Sequence, residues 1–264
     1  MKKTMIAASA ALIAGVAMAI TSQNIVGYQS VTIDKEITAL GISFESTTGV
    51  SLDIQDAFPY VDGMTKGTGT ANADTIRVWD GTTYSAYYMS NGKDAKGGSI
   101  GGLEGKWALS GQTEVASKSL PAGSAIWYYS KGYATPYSVS VAGQVFTSAN
   151  CAISIGQGIT FIANPYPGDL LLNDGIPYVD GMTQGTGTAN ADTIRIWDGT
   201  TYTGYYMSNG KDAKGGTVAG LEGKWALSGQ TTATTDSIPA GNGAWYYRKD
   251  DNATFDIIVA SPIQ

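Results

Sequence analysis

The sequence predicts an all-β protein built from two tandem antiparallel units, each a β-sandwich or a small barrel. Glycine is abundant, with 35 residues among 264, and the chain carries 16 Tyr and 6 Trp. Charged residues make up only 14% of the chain. This composition is typical of strands joined by many turns. An internal repeat, described next, divides the chain into the two units.

Residues 59–113 and 177–231 are identical at all but seven of 55 positions, at a constant offset of 118. The same offset aligns 137–141 with 255–259, and an offset of 122 aligns 33–38 with 155–160. The repeat therefore predicts unit 1 at 20–143 and unit 2 at 144–264, each long enough for its own core. The repeated block includes polar loop residues that core packing does not demand. Either recent gene conversion or a binding surface shared by both copies accounts for that identity.

Each unit contains a predicted hairpin. The segments 75–79 and 83–89 are rich in β-branched and aromatic residues, and Asp80-Gly81-Thr82 lies between them. An Asp-Gly pair in this position is a strong hairpin signal, because the turn needs a positive φ that Gly adopts without a Cβ clash. The second copy repeats the pattern at 193–207.

The remaining elements follow from alternation and turn residues. Strands are predicted at 125–129, 137–141 and 151–155, and short helices near 51–57 and 170–174. The glycine-rich stretches 92–105 and 210–223 are predicted to be loops.

The first residues have the layout of a secretory signal peptide. A basic start at Lys2-Lys3 precedes an apolar stretch at 5–16, and 17–19 form an A-x-A cleavage site. We therefore expect residues 1–19 to be removed and the mature chain to be secreted or displayed on the surface of a bacterium, or held in its periplasm. Loss of the two lysines leaves 14 basic and 22 acidic residues, a net charge of −8.

The composition excludes several classes of chemistry. There is no His, which excludes Ser-His-Asp and Cys-His triads and any His-ligated metal. A single Cys, Cys151, excludes an intramolecular disulfide and is expected to pack as a small apolar residue. An acidic chain without a basic stripe argues against a nucleic-acid partner.

The repeated carboxylates are predicted to serve turns and not catalysis, so no catalytic residue is assigned. Most of them lie beside Gly, where Asp commonly caps a turn. Calcium is the one cofactor considered, because carboxylate and amide oxygens are its usual ligands. The spacing does not match an EF-hand, and turn capping is the alternative role. The candidate ligands are Asp62, Asn72, Asp74, Asp180, Asn190 and Asp192.

Repeated aromatic residues suggest a carbohydrate platform. Aromatic rings stack on the apolar faces of sugars while polar neighbours fix the orientation of the sugar. The alternative is that these side chains form the cores of the two units. The candidate residues are Trp79, Tyr84, Tyr87, Trp107 and their copies Trp197, Tyr202, Tyr205, Trp225.

Three short motifs carry a resemblance to a known group of proteins. They are ITFIANPYP at 159–167, WDGTTY at 197–202 and PAGNGAW at 239–245. In this order they resemble repeat domains of secreted bacterial surface proteins, most of unknown role. The resemblance implies a β-rich exported module and brings no catalytic residue. The first copy departs from it, since residues 37–42 lack the Asn-Pro pair.

Two function classes follow, and a third is weaker. The first is a non-catalytic structural protein of the cell surface or extracellular matrix, with two equivalent units that associate with themselves or with other envelope proteins. The second is an adhesin-like carbohydrate-binding module whose partner is a polysaccharide. The weaker alternative is an outer-membrane β-barrel. A binder is expected to expose its repeated aromatic residues in one groove, whereas a structural module is expected to bury them and expose a pairing edge.

Overall fold

The computed structural model describes residues 26–146, 148–250 and 253–261. The predicted signal peptide, residues 1–19, lies outside the described residues. The fold is all-β, as predicted, with 43% of the described residues in strands and 3% in helices. Every pairing between the named strands is antiparallel.

The N-terminal half comprises residues 26–146. Its elements are β1 Val26–Ile33, β2 Ile37–Gly41, β3 Phe44–Glu45, β4 Leu52–Asp53, α1 Ile54–Ala57, β5 Thr75–Trp79, β6 Tyr84–Met89, β7 Trp107–Leu109, β8 Ser119–Leu120, β9 Ala125–Tyr129 and β10 Tyr137–Val145. The predicted boundary after residue 143 lies inside β10, which runs two residues further.

The C-terminal half comprises residues 148–250 and 253–261. Its elements are β11 Asn150–Ile155, β12 Ile159–Ala163, β13 Leu170–Leu171, α2 Leu172–Gly175, β14 Thr193–Trp197, β15 Tyr202–Met207, β16 Trp225–Leu227, β17 Ser237–Ile238, β18 Gly243–Tyr247 and β19 Phe255–Ala260. The two short helices lie in the segments where the sequence predicted them.

Both halves share one sheet topology. A five-stranded sheet has the order β2-β9-β5-β6-β7 in the N-terminal half and β12-β18-β14-β15-β16 in the C-terminal half. In each half the first strand pairs with the last, β1 with β10 and β11 with β19. Among the described residues, β3 has no counterpart strand in the second half. The arrangement is sandwich-like, because the terminal strands cover one face of each five-stranded sheet.

The predicted hairpin is present in both copies. Trp79 pairs with Tyr84, and the four residues between them form the loop. Gly81 has a φ of 103°, and Gly199 in the second copy has a φ of 100°. The Asp80 carboxylate accepts hydrogen bonds from the Thr82 and Thr83 amides at 2.9 and 2.8 Å, which closes the loop.

Each five-stranded sheet is apolar on both faces. On β9, Ile126 and Tyr128 point into the core of the N-terminal half, while Trp127 points to the opposite face. That opposite face meets its counterpart from the C-terminal half, where Trp245 and Phe161 complete a third apolar cluster. The two halves are therefore joined by packing between their five-stranded sheets.

Backbone hydrogen bonds join the halves in reciprocal pairs. The Gly41 amide donates to the Gly241 carbonyl at 2.8 Å, and the Ala163 amide donates to the Gly123 carbonyl at 2.8 Å. Gly41 aligns with Ala163 and Gly123 with Gly241 in the repeat, so the two bonds are related by a pseudo-two-fold axis. A Cβ on Gly41 would lie 2.6 Å from the Ala163 Cβ, which explains why glycine occupies this crossing point.

Candidate ligand-binding groove

An open groove of about 400 Å³ lies on the pseudo-two-fold axis between the halves. Its volume falls in the range of small-molecule sites in proteins. Each half contributes five residues at equivalent repeat positions. The lining residues are Ile37, Trp79, Tyr84, Trp127 and Tyr129 from the N-terminal half, and Ile159, Trp197, Tyr202, Trp245 and Tyr247 from the C-terminal half.

Reciprocal indole hydrogen bonds hold the groove together. The Trp79 Nε1 donates to the Ile159 carbonyl at 2.9 Å, and the Trp197 Nε1 donates to the Ile37 carbonyl at 3.1 Å. Each Trp therefore anchors its own hairpin to the first strand of the other half's five-stranded sheet. The groove forms only when both halves are in place.

The floor of the groove consists of two buried tryptophans. Trp127 and Trp245 have ring centroids 6.2 Å apart, and Phe161 stacks on Trp245 at 4.2 Å. The position equivalent to Phe161 in the first half is Ala39, so the floor is not fully symmetric. The Phe161 ring also lies 5.1 Å from the Trp127 ring, so the three rings pack against one another and restrain the floor.

The walls are two matched Trp–Tyr pairs. Trp79 and Tyr84 have centroids 4.8 Å apart at an interplanar angle of 55°, and Trp197 and Tyr202 have centroids 4.8 Å apart at 53°. Tyr84 and Tyr202 are 42% and 45% exposed. Each wall thus presents ring surface to solvent while its tryptophan is partly buried.

Phenol hydroxyls supply the polar character of the groove. Burial raises the pKa of Tyr84, a hydrogen bond with the Trp127 side chain lowers it, and the nearby phenols of Tyr129, Tyr202 and Tyr247 raise it. Burial likewise raises the pKa of Tyr202. These phenols stay protonated near neutral pH and offer both donors and acceptors to a ligand.

One arginine from each half stacks on a groove tyrosine. The Arg77 Cζ lies 4.3 Å from the Tyr129 ring centroid, and the Arg195 Cζ lies 4.6 Å from that of Tyr247. Both arginines are exposed. Within the part of the chain that the structure describes, no carboxylate lines the groove.

The structure brings together half of the predicted aromatic platform. Trp79, Tyr84, Trp197 and Tyr202 form the walls of one groove, to which both copies of the repeat contribute.

The other four predicted platform residues lie in the two cores, so their place in a platform is corrected. Tyr87, Trp107, Tyr205 and Trp225 are buried on the sheet face opposite the groove. The Trp107 Nε1 donates to the Phe58 carbonyl at 2.5 Å, and the Trp225 Nε1 donates to the Ile176 carbonyl at 2.7 Å. A buried indole with a satisfied N–H is a core residue.

Sequence reasoning missed the floor and the two lining tyrosines of β9 and β18. Trp127 and Tyr129 were predicted to lie on a strand but not to belong to a site, and Trp245 and Tyr247 are their repeat copies. The signal was present in the run Ala125–Tyr129, in which all five side chains are apolar or aromatic. Such a run indicates a strand buried on both faces, and hence a second packing surface.

Four of the six candidate calcium ligands have protein hydrogen-bond partners, two in each copy. Asp74 and Asp192 are fully buried and accept hydrogen bonds from tyrosine hydroxyls, Tyr128 for Asp74 and Tyr246 for Asp192, both at 2.8 Å. The Asn72 Oδ1 accepts from the Thr68 amide at 3.0 Å.

The remaining candidate calcium ligands are Asn190, Asp62 and Asp180. Asn190 repeats the Asn72 contact with Thr186 at 3.0 Å, while Asp62 and Asp180 are exposed. Among the described residues, no group of three or more His, Cys, Asp or Glu could hold a metal ion. Calcium binding stays a prediction.

Comparisons of the chain with protein-family models, with curated proteins and with solved structures found no match. No helix in the described residues is long and apolar enough to cross a membrane.

Proposed function

We propose that this protein is a non-catalytic binding protein of the bacterial cell exterior that holds a saccharide in the groove between its halves. The observation that carries the proposal is the convergence of both copies of the Trp–Tyr wall on one open aromatic groove. Location outside the cell rests on the signal-peptide layout of residues 1–19.

The groove has the features that sugar recognition needs. Tilted rings on two opposing walls offer flat apolar surface for the C–H faces of a pyranose ring, and the phenol hydroxyls offer hydrogen bonds for its hydroxyl groups. The floor is rigid, so little ordering accompanies binding. Because the two walls belong to one groove, we expect one saccharide per chain instead of one per repeat.

The proposal also agrees with the chemistry of the lining. The commonest general acids and bases are His, Asp and Glu; the sequence contains no His, and no Asp or Glu is among the described lining residues. The lining residues are aromatic or aliphatic side chains, whose contribution is binding and orientation.

The test uses the mature chain, residues 20–264, on a glycan array followed by calorimetric titration. We expect saturable binding with one saccharide per chain. Tyr84→Ala and Tyr202→Ala should each weaken binding about tenfold, since each removes one wall ring. Equal losses are expected because the two residues are equivalent about the pseudo-two-fold axis.

The matched controls are Tyr60→Ala and Tyr178→Ala. These tyrosines are also repeat copies and are 38% and 40% exposed, but they lie outside the groove. Absence of saccharide binding by the folded chain, or equal losses from wall and control variants, would contradict the proposal.

A structural role is the second candidate, and one observation favours it. β1 is an edge strand of eight residues, and its Tyr28 and Val26 side chains are 77% and 65% exposed. Long edge strands with exposed apolar side chains template pairing with another chain. Concentration-dependent self-association in sedimentation experiments, abolished by Tyr28→Lys, would support this role.

A further inference from the structure

We infer that the saccharide is acidic and that Arg77 and Arg195 each bind one of its carboxylate or sulfate groups. The inference rests on the proposed function and names the class of ligand for the same groove. The two guanidinium groups are equivalent in the repeat, so each half places one cation beside the groove, next to a lining tyrosine.

Strand geometry places both arginines beside the groove. Side chains two residues apart on a strand share a face, so Arg77 lies on the same face of β5 as the wall residue Trp79. The same holds for Arg195 and Trp197 on β14. Each guanidinium also stacks on a tyrosine that lines the groove.

Neither guanidinium is neutralised by the protein. In the residues that the structure describes, neither Arg77 nor Arg195 forms an ion pair or a side-chain hydrogen bond. A guanidinium carries five N–H donors in a planar fork that fits a carboxylate or sulfate with two parallel hydrogen bonds. Stacking on a tyrosine restrains the side chain while leaving these donors available to a ligand.

The positive charge extends into the groove. Burial raises the pKa of Tyr202, and the charge of Arg195 acts on this groove phenol in the opposite direction. An opposing carboxylate would cancel this field, but no carboxylate is among the lining residues that the structure describes.

The two nearby arginines, and not the net charge of the chain, determine which saccharide the groove favours. The chain as a whole is acidic, with a net charge of −6, which by itself disfavours an anionic ligand. At physiological ionic strength this repulsion fades beyond about 8 Å, and a bound anion responds chiefly to its nearest charges. Two unpaired arginines beside an aromatic groove therefore favour an acidic sugar over a neutral one.

The experiment compares saccharides that differ only in charge. Calorimetric titration of the mature chain uses a galacturonic acid oligomer against its methyl ester, and a sulfated galactan oligomer against its desulfated form. We expect the charged member of at least one pair to bind about tenfold tighter, and to lose that advantage at high salt. Which pair shows the difference identifies the anion as carboxylate or sulfate.

Variants then assign the difference to the arginines. Arg77→Gln and Arg195→Gln should each weaken binding of the charged oligomer about tenfold and leave the neutral oligomer unchanged. Lys93→Gln, an exposed cation in a loop away from the groove, controls for net charge. Unchanged thermal melting of each variant verifies folding.

The outcomes separate this inference from the function it rests on. If neutral and charged oligomers bind equally, the acidic ligand is refuted and saccharide binding stands. If the arginine variants bind the charged oligomer as the parent does, the role of Arg77 and Arg195 is refuted. If no oligomer binds and the array is also blank, both are refuted.

Discussion

Replacing Tyr137 by Phe is expected to destabilise the protein by about 2 kcal/mol, through loss of one hydrogen bond to a buried carboxylate. The Tyr137 hydroxyl donates to the Asp74 Oδ2 at 2.5 Å and lies 2.9 Å from the Ser130 Oγ. Asp74 is fully buried and has two further donors, the Tyr128 hydroxyl at 2.8 Å and the Lys131 amide at 2.7 Å. Phe fills nearly the same volume as Tyr, so the cavity term is small and the hydrogen bond dominates.

The C-terminal half already contains the substituted arrangement. Phe255 stands where Tyr137 does, and Arg248 stands where Ser130 does. Asp192 accepts from the Tyr246 hydroxyl, and the charge of Arg248 stabilises its ionised form. The Arg248 Cζ lies 4.9 Å from the Phe255 ring centroid. A guanidinium thus replaces the hydroxyl pair of the first half.

The assay is urea unfolding of the mature chain, followed by circular dichroism and fluorescence. We expect Tyr137→Phe to lower the midpoint with little change in slope, and Tyr137→Phe with Ser130→Arg to recover part of the loss. Tyr133→Phe, an exposed tyrosine, should stay within about 0.5 kcal/mol of the parent. An unchanged midpoint for Tyr137→Phe would show that the hydrogen bond from Tyr137 to Asp74 does not contribute to stability. A double variant no more stable than Tyr137→Phe would show that an arginine at position 130 does not compensate for the lost hydroxyl.

Three further predictions concern the turns, the buried acid and export. Gly81→Val should lower the free energy of unfolding by about 1–3 kcal/mol, because a φ of 103° is strained for a β-branched residue. Gly199→Val should cost at least as much, because the new side chain also meets that of Lys35. Equal melting of variants and parent would contradict this. Burial raises the pKa of Asp192 above its ordinary value, although its hydrogen bonds and the charge of Arg248 act to lower it. The stability that the protonated carboxyl contributes is therefore present at acidic pH and is lost as the pH rises through the raised pKa. Asp192→Asn should therefore gain stability relative to the parent as the pH rises from the acidic to the neutral range, measured by urea unfolding at each pH. A constant difference across that range would contradict the direction of the shift. Exported protein should begin at or near Ile20 by intact-mass measurement, and retention of residues 1–19 would overturn the signal-peptide prediction.

Local features of the fold could be predicted because they depend on near neighbours. The hairpin of β5 and β6 follows from an Asp-Gly turn between two β-favouring segments, and the structure confirms it, with Gly81 at positive φ. The short helix α1 lies within the segment where the sequence predicted one.

The candidate site was predicted only in part. Trp79 and Trp107 are both repeated tryptophans on strands, and nothing in their local sequence separates a groove wall from a core residue. The structure places Trp79 against the Ile159 carbonyl of the other half and Trp107 against the Phe58 carbonyl of its own half. Those contacts join residues 80 and 49 positions apart, beyond the reach of local patterns.

The sequence by itself determined the β class, the positions of the turns and the repetition of the aromatic residues. Alternation along a strand shows that neighbouring side chains point to opposite faces, but it does not show what each face meets. In β9 both faces are apolar, one packing into its own half and the other against the second half. Only the tertiary structure decided that the two copies meet across these second faces, because their contact depends on packing between residues far apart in the sequence. That packing brings the two sets of repeated aromatic residues together into one groove.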